Sequence, residues 1–513
     1  MFRAITIAAI IWLIPTAVFA GEPFEGLNLV SPNVVTESYL MDMDGVVLKT
    51  WHGEGRIASM AYMLADSSIL RPSVDREGQF AGGGAGGHIQ RIDADDAVVW
   101  DYYFSSSQYQ QHHDIQPMPG GTVLLIAWEL KTREEAQAWG RREIYSDMWP
   151  TLIVEVEPVG LDSGTVVWEW HAWDHLVQDI DPGLPNYGVV SEHPELLDIN
   201  YGSVGPGGGD WLHVNAIDYN SDLDQIVFSS KPMNEFYVID HSTTTEEAAG
   251  HNGGNTGMGG DILYRWGNPQ VYDRGDDTDR RYDTVHGANW IDEGLPGAGN
   301  ILTFNNGDRP GSINDYSSVL EIVPPVDEFG NYAIMPDSAF GPAEPIWTHG
   351  ESATFYGGPA QCGAFRMPNG NTLISLSPQG VIFEVTEAGS TVWYYTYGLN
   401  VPRSMRYWDD CGSVEGDLMQ GALLRSVSAQ PIPFRCSARI GFELSEAAHV
   451  EVEVFDVAGR LLADLAGGSF GAGGHQLSWS GRSDQGLAMP AGVYFVRVKA
   501  GGDAVIQKTV LAR

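Results

Sequence analysis

One phrase recurs along this chain: a strand closing on an acidic or turn residue, a connection, then a second strand closing on an aromatic. It is written Tyr39-Leu40-Met41-Asp42 and then Val46 to Trp51-His52, and again as Gln90-Arg91-Ile92-Asp93 and Val98-Val99-Trp100. A third copy is Val154-Glu155-Val156-Glu157 with Val166-Val167-Trp168-Glu169-Trp170. Looser copies lead from Tyr237-Val238-Ile239-Asp240 to Trp266, from Val319-Leu320-Glu321-Ile322 to Trp347, and from Phe383-Glu384-Val385-Thr386 to Trp393. After most of these aromatics come a third and a fourth strand, joined by turns such as Pro119-Gly120-Gly121 and Asn369-Gly370, where positive φ is tolerated. Six copies of a four-stranded antiparallel unit predict an all-β chain built as a six-bladed β-propeller.

The repeat accounts for residues 21–407 of 513. Residues 408–428 show no strand pattern and read as a linker, and residues 429–513 resume as a small β-sandwich of immunoglobulin-like type. Its clearest strands are Val450 to Phe455 and Val493 to Val498, both alternating as half-buried strands do. Residues 1–20 read as a signal peptide, with Arg3 before an apolar run and Ala20 at the expected cleavage point. The expectation is an exported protein, periplasmic, cell-surface or extracellular, without a transmembrane anchor once the signal is removed. The balance of 28 basic to 67 acidic residues gives a formal charge of −39, which argues against a nucleic-acid partner. An anionic substrate would therefore need a locally positive pocket. Cys362, Cys411 and Cys436 make an odd count, so one disulfide and one free thiol are expected in an oxidising compartment.

The third strand carries the chemistry. His113, His213, His286 and Cys362 each precede a hairpin turn by a similar distance, His286 fitting least closely. Equivalent positions in a propeller meet at one central channel, so a histidine ring is expected there. The alternatives are polar strand ends or a metal site to which Asp114 and Asp218 contribute; no short ligand spacing supports the metal, and no cofactor is expected. The run from Asp273 to Asp279 lacks the alternation of a calcium loop, and the glycines of 82–87 precede a strand, not the helix a phosphate site needs.

Trp211-Leu212-His213-Val214-Asn215, and His286 followed by Asn300 through Asn306-Gly307-Asp308-Arg309, resemble the motifs of the bacterial arylsulfotransferases. The likeness spans roughly residues 25–407. It implies a secreted enzyme that passes a sulfuryl group from an aryl sulfate to a phenolic acceptor, without a nucleotide donor, through a transiently sulfated channel histidine. On this resemblance His213, His286, His113, Cys362 and Arg309 are the catalytic candidates, with Arg309 and the histidines holding the sulfuryl oxygens. Asn215, Trp211, Trp290, Asn306 and Tyr316 are the substrate-binding candidates. The family's sulfated histidine lies on a late blade, where the nearest position here holds Cys362. Three readings follow: His286 or His213 substitutes, Cys362 takes the role, or the channel is a non-catalytic binding module. The C-terminal module resembles hook-capping and type IX secretion sorting domains through Phe455-Asp456-Val457-Ala458-Gly459-Arg460 and Pro490-Ala491-Gly492-Val493-Tyr494. That likeness implies secretion machinery as a partner.

Overall fold

The computed structural model describes residues 21–203, 209–307, 316–350, 355, 357, 358, 360–408, 424–430, 437–445, 447–456, 460–483, 487–490, 492–500 and 503–511. The proposed signal peptide lies outside them, as do Arg309, Cys411 and Cys436. The chain divides into two compact units, one running to Val414 and the other built from Glu415 onward with Pro119–Gly121.

The first unit is a β-propeller. Among the described residues, six four-stranded antiparallel sheets follow one another. In the first, Ser404–Tyr407 lies beside Leu27–Val30, followed by Glu37–Met41 and Val47–His52. The other five run in chain order and open on Tyr62–Met63, Tyr109–Pro117, Val214–Asn220, Val285–Trp290 and Gly363–Arg366. They end on Val98–Tyr103, Ser163–His171, Ile262–Trp266, Trp347–Gly350 and Thr391–Thr396. Opening strands are innermost: Val214–Asn220 packs against both Tyr109–Pro117 and Val285–Trp290.

The sequence phrase proves to be the outer half of a sheet, its third and fourth strands. The strands that follow it belong to the next sheet, so the expected four-strand unit is displaced by two strands from the real one.

The recurring tryptophan has a specific duty. Trp51 donates its indole N–H to Asp93 O at 2.9 Å, Trp100 to Ser163 O at 2.8 Å, and Trp168 to Thr243 Oγ1 at 3.1 Å. Trp266 donates to Pro342 O at 2.7 Å, Trp347 to Glu387 O at 2.8 Å, and Trp393 to Met43 O at 2.9 Å. Five acceptors sit between the third and fourth strands of the following sheet, Ser163 opens the fourth strand of its own sheet, and the sixth sheet reaches the first. Ring closure is backed by strand pairing, with Asn28 opposite Arg406 and Leu29 opposite Met405. The Arg406 guanidinium binds Asn28 Oδ1 and the buried Glu384 carboxylate, and it lies 4.4 Å from the centre of the Trp393 ring.

In the second unit Leu424–Gln430, Ala438–Leu444 and Gly473–Trp479 form one sheet. Leu461–Phe470, Ala448–Asp456, Gly492–Ala500 and Asp503–Leu511 form another, in that order. Ile440 and Phe442 from one sheet share a core with Val452, Val454 and Val496 from the other, as in a β-sandwich. The strand Leu424–Gln430 occupies part of what the sequence suggested was linker, so the module begins before residue 429. No helix among the described residues is long and apolar enough to cross a membrane.

Trp51 is 2% exposed and serves both as core and as staple. Trp51→Phe is expected to cost about 1 kcal/mol for the lost hydrogen bond, and Trp51→Ala about 3–5 kcal/mol. Denaturant unfolding of the two variants checks this; a Trp51→Phe variant as stable as the parent would show that the indole N–H contributes nothing.

Candidate functional site

Within or just before the inner strands of the third to sixth sheets, one residue in each takes a left-handed backbone conformation. His113 (φ 51°), His213 (φ 42°), Gly287 (φ 65°) and Cys362 (φ 76°) take left-handed backbone conformations. Strand pairing shifts register between Gln111 and Ile115, between Val214 and Ala216, and between His286 and Asn289. Such a bulge re-aims a side chain that a regular strand would send into the sheet packing. His286 therefore falls one residue before the left-handed position, which Gly287 fills. Two of the three histidines share one register; His286 is not their exact equivalent.

His113, Asn215, His286, Gln361, Cys362 and Arg403, together with Ser59 and neighbouring backbone, line a cavity of about 20 Å³, and His213 lies behind His113 outside that lining. That volume admits a water-sized group and no aromatic ring. A wider depression of about 670 Å³ lies among Glu54, Asp75, Glu77, His88 and Tyr103. It holds none of the residues nominated from sequence, and three carboxylates on its wall oppose an anionic substrate.

Hydrogen bonds fix the tautomer of His286. The Asn306 amide nitrogen donates to Gly358 O at 2.7 Å and to Gln361 O at 3.2 Å, so its oxygen must face His286 Nδ1, 2.6 Å away. Thr284 O, also an acceptor, lies 3.3 Å from the same nitrogen. The ring proton therefore sits on Nδ1, and Nε2 carries the lone pair. Burial, then Lys231 and His213, pushes the His286 pKa down to about 3, so the ring is neutral at physiological pH.

His213 is oriented by Asp210, whose carboxylate accepts both the ring Nδ1–H and the backbone N–H of His213. Trp128 Nε1 donates to the same carboxylate at 2.8 Å. Burial alone would raise the Asp210 pKa, but the hydrogen bond and charge of His213 hold it below the usual carboxylate value. The His113 ring meets the His213 ring edge-on at 4.6 Å, and its Nδ1 pairs with His112 Nδ1 at 2.8 Å. Burial, then His213, His112 and His286, pushes the His113 pKa well below its ordinary value. Gly84 lies against this ring: a Cβ there would sit 2.2 Å from it, and Gly84 O accepts His113 N at 2.6 Å. The glycine-rich stretch is thus shaped by the close approach of the histidines.

Several nominated residues have other work. Cys362 is a free thiol, 1% exposed, bonded to Gly357 O at 3.1 Å and accepting Ser377 N at 3.3 Å. Burial pushes its pKa up to about 12, which withholds the thiolate a nucleophile needs. Asn306 orients His286, and Asn215 spends its amide on Val285 O and Ser229 Oγ while still edging the cavity. Trp211 and Trp290 are packed in the sheet core, and Trp211 Nε1 donates to Tyr201 O at 2.9 Å. Neither lines the cavity, nor does Tyr316, whose carbonyl packs against Gly307. Asp114 is consumed by Tyr62 Oη at 2.9 Å, by Arg403 and by Ile217 N, which corrects the suggestion that it ligates metal.

Arg403 was not found from sequence. It follows the sixth phrase, in the segment entering the closing strand, where nothing local distinguishes it. Its guanidinium bonds Asp114 and Ser59 Oγ, and Asp114 keeps it charged despite burial. Asp210 was missed too, although Asp210-Trp211-Leu212-His213 offered the spacing.

A family model described as Arylsulfotransferase (ASST) matches residues 25–321, and one described as FlgD Ig-like domain matches residues 432–503. No curated protein matches the chain. Among solved structures, a protein of unknown function from Bacteroides caccae is 11% identical with a TM-score of 0.39, covering 75% of this chain and 99% of that one. Virginiamycin B lyase from Staphylococcus aureus is 10% identical with a TM-score of 0.33, covering 83% and 90%. Regucalcin from Agrobacterium tumefaciens is 12% identical with a TM-score of 0.32, covering 75% and 98%.

The buried neutral ring of His286 carries a pH signature. Its pKa is 6.5 unperturbed and about 3 in the folded chain. Between these values the unfolded chain binds a proton that the folded chain refuses, so stability falls as pH drops below the unfolded value. The slope from this residue is about 1.4 kcal/mol per pH unit. Urea unfolding between about pH 7 and pH 5 should show a shallower loss for His286→Gln than for the parent; identical slopes would contradict the neutral-ring assignment.

Proposed function

The chain belongs to the arylsulfotransferase family, and from that premise we propose that it transfers a sulfuryl group from an aryl sulfate to a phenol through His286. The observation that carries this choice is the fixed tautomer: Asn306 holds the Nδ1 proton, leaving a neutral Nε2 lone pair on a residue that lines the cavity. Unprotonated imidazole is a competent nucleophile, and a covalent intermediate separates donor from acceptor.

In the first half-reaction His286 Nε2 attacks sulfur and the bond from sulfur to the aryl oxygen breaks. His213, as imidazolium, gives its proton to the departing oxygen. In the second, neutral His213 takes the acceptor's phenolic proton while that oxygen attacks sulfur and the S–N bond breaks. Asp210 suits this role, since it holds the His213 tautomer and stabilises the imidazolium. Arg403 and Lys231 supply positive charge, with Arg403 on the cavity wall and Lys231 close enough to depress both His113 and His286. The 20 Å³ cavity then receives sulfuryl oxygens, and the aryl group remains outside it.

Incubation with 4-nitrophenyl sulfate and phenol tests this reading. Transfer should require the acceptor, and His286→Ala should reduce it to background. His213→Ala should cost roughly 100- to 10,000-fold, and Cys362→Ser should retain transfer. Mass spectrometry of the enzyme with donor alone should find one sulfuryl group on His286. A chain that binds aryl sulfates without turnover would instead be a binding module.

The C-terminal module is proposed to serve export or surface attachment through secretion machinery. Removing residues 424–513 should leave transfer unchanged and alter where the protein accumulates. Loss of transfer in a still-folded propeller would overturn that separation.

A further inference from the structure

Outside the channel, one His/Asp group among the described residues brings three ligand atoms within 4.8 Å of one another: His175, His251 and Asp261. His175 follows the short 3-10 turn Ala172–Asp174 beyond the third sheet's last strand, and Asp261 precedes the fourth sheet's last strand, Ile262–Trp266. His251 lies in the glycine-rich loop after the helix Thr245–Ala248. We propose that these three side chains bind one divalent transition-metal cation of the zinc class.

The hydrogen-bond arithmetic at His175 carries the case. Its Nε2 lies 2.9 Å from Ala248 O, and its Nδ1 lies 2.8 Å from Asp261 Oδ1. Both partners are pure acceptors, so a neutral ring satisfies only one of them. With the proton on Nε2, the Nδ1 lone pair faces a carboxylate, and a cation held by both would relieve that repulsion. His251 Nδ1 aims at the same oxygen from 2.7 Å. Two imidazoles and a carboxylate are a zinc-type donor set, and a ligating histidine usually donates its other N–H to a backbone carbonyl or carboxylate. His175 does so through Ala248, and its ring is held parallel to Trp170, 5.5 Å between centres.

The surroundings are built closely around this ring. A Cβ on Gly260 would stand 2.0 Å from Ala248 O and 2.7 Å from His175 Nε2, so only glycine fits there. Gly260 O in turn accepts Trp170 Nε1 at 2.7 Å. His175 is fully buried and Asp261 nearly so, while His251 is 57% exposed and leaves a fourth position open to water. The cation would pin the loop of the fourth sheet onto the end of the third.

The full chain, freed of any affinity tag, is stripped with a chelator and titrated with zinc chloride by calorimetry, with melting followed in parallel. One equivalent should bind and the melting temperature should rise. His251→Ala removes an exposed ligand and is expected to fold; it should weaken binding at least tenfold, roughly what loss of a mere supporting hydrogen bond costs. His52→Ala, an exposed His–Asp pair elsewhere, should leave binding unchanged. Absence of binding, or equal binding by His251→Ala and the parent, would overturn the site.

Discussion

The structure depends on the indole hydrogen bond that each sheet makes to the next. An antiparallel sheet of four strands has two edges and two faces to cover, and stacking sheets face to face around a ring covers the faces. Apolar packing between faces is non-directional and would tolerate sliding. A tryptophan on the outermost strand bonded to one connection of its neighbour does not, because the donor must meet a particular acceptor. The strand pair that presents the acceptor also carries the next donor, which is why the same phrase is written six times. The last indole, from Trp393 to Met43, joins the sixth sheet to the first.

Closure has a consequence for the centre. Pairing Ser404–Tyr407 with Leu27–Val30 brings Arg403 into the cavity, where Asp114 of the third sheet receives it. The ring and its site are thus completed by the same segment. The left-handed residues are the cost side of this arrangement. His113, His213 and Cys362 each hold a conformation worth roughly 1–3 kcal/mol of strain, which the surrounding sheets must offset. A strained residue on three inner strands at one level is what a site needs if its imidazoles are to leave the sheet plane.

Much of this was legible in the sequence, and the gaps have physical causes. The phrase was visible because outer strands alternate and end in tryptophan. Its division into sheets was not, because a hairpin within a sheet and a crossing between sheets look alike locally. His113 and His213 could be aligned by their distance to a turn, and His286 fitted less closely, since Gly287 takes the left-handed place at lower cost. Trp211 and Trp290 flank the site in sequence, but strand alternation and the bulge turn them into the core. Arg403 lies far along the chain from Asp114, and only ring closure makes them neighbours.

The electrostatics of the centre differ from what the resemblance suggested. The histidines were expected to help Arg309 hold the sulfuryl oxygens, and burial keeps His113 and His286 from taking up a second proton at neutral pH. Arg403 is charged and bound by Asp114, and Lys231 is one of the groups that depress both rings after burial. Neutral imidazoles serve the proposed reaction twice: they keep the lone pair available for attack on sulfur, and they do not overbind the anion in its ground state.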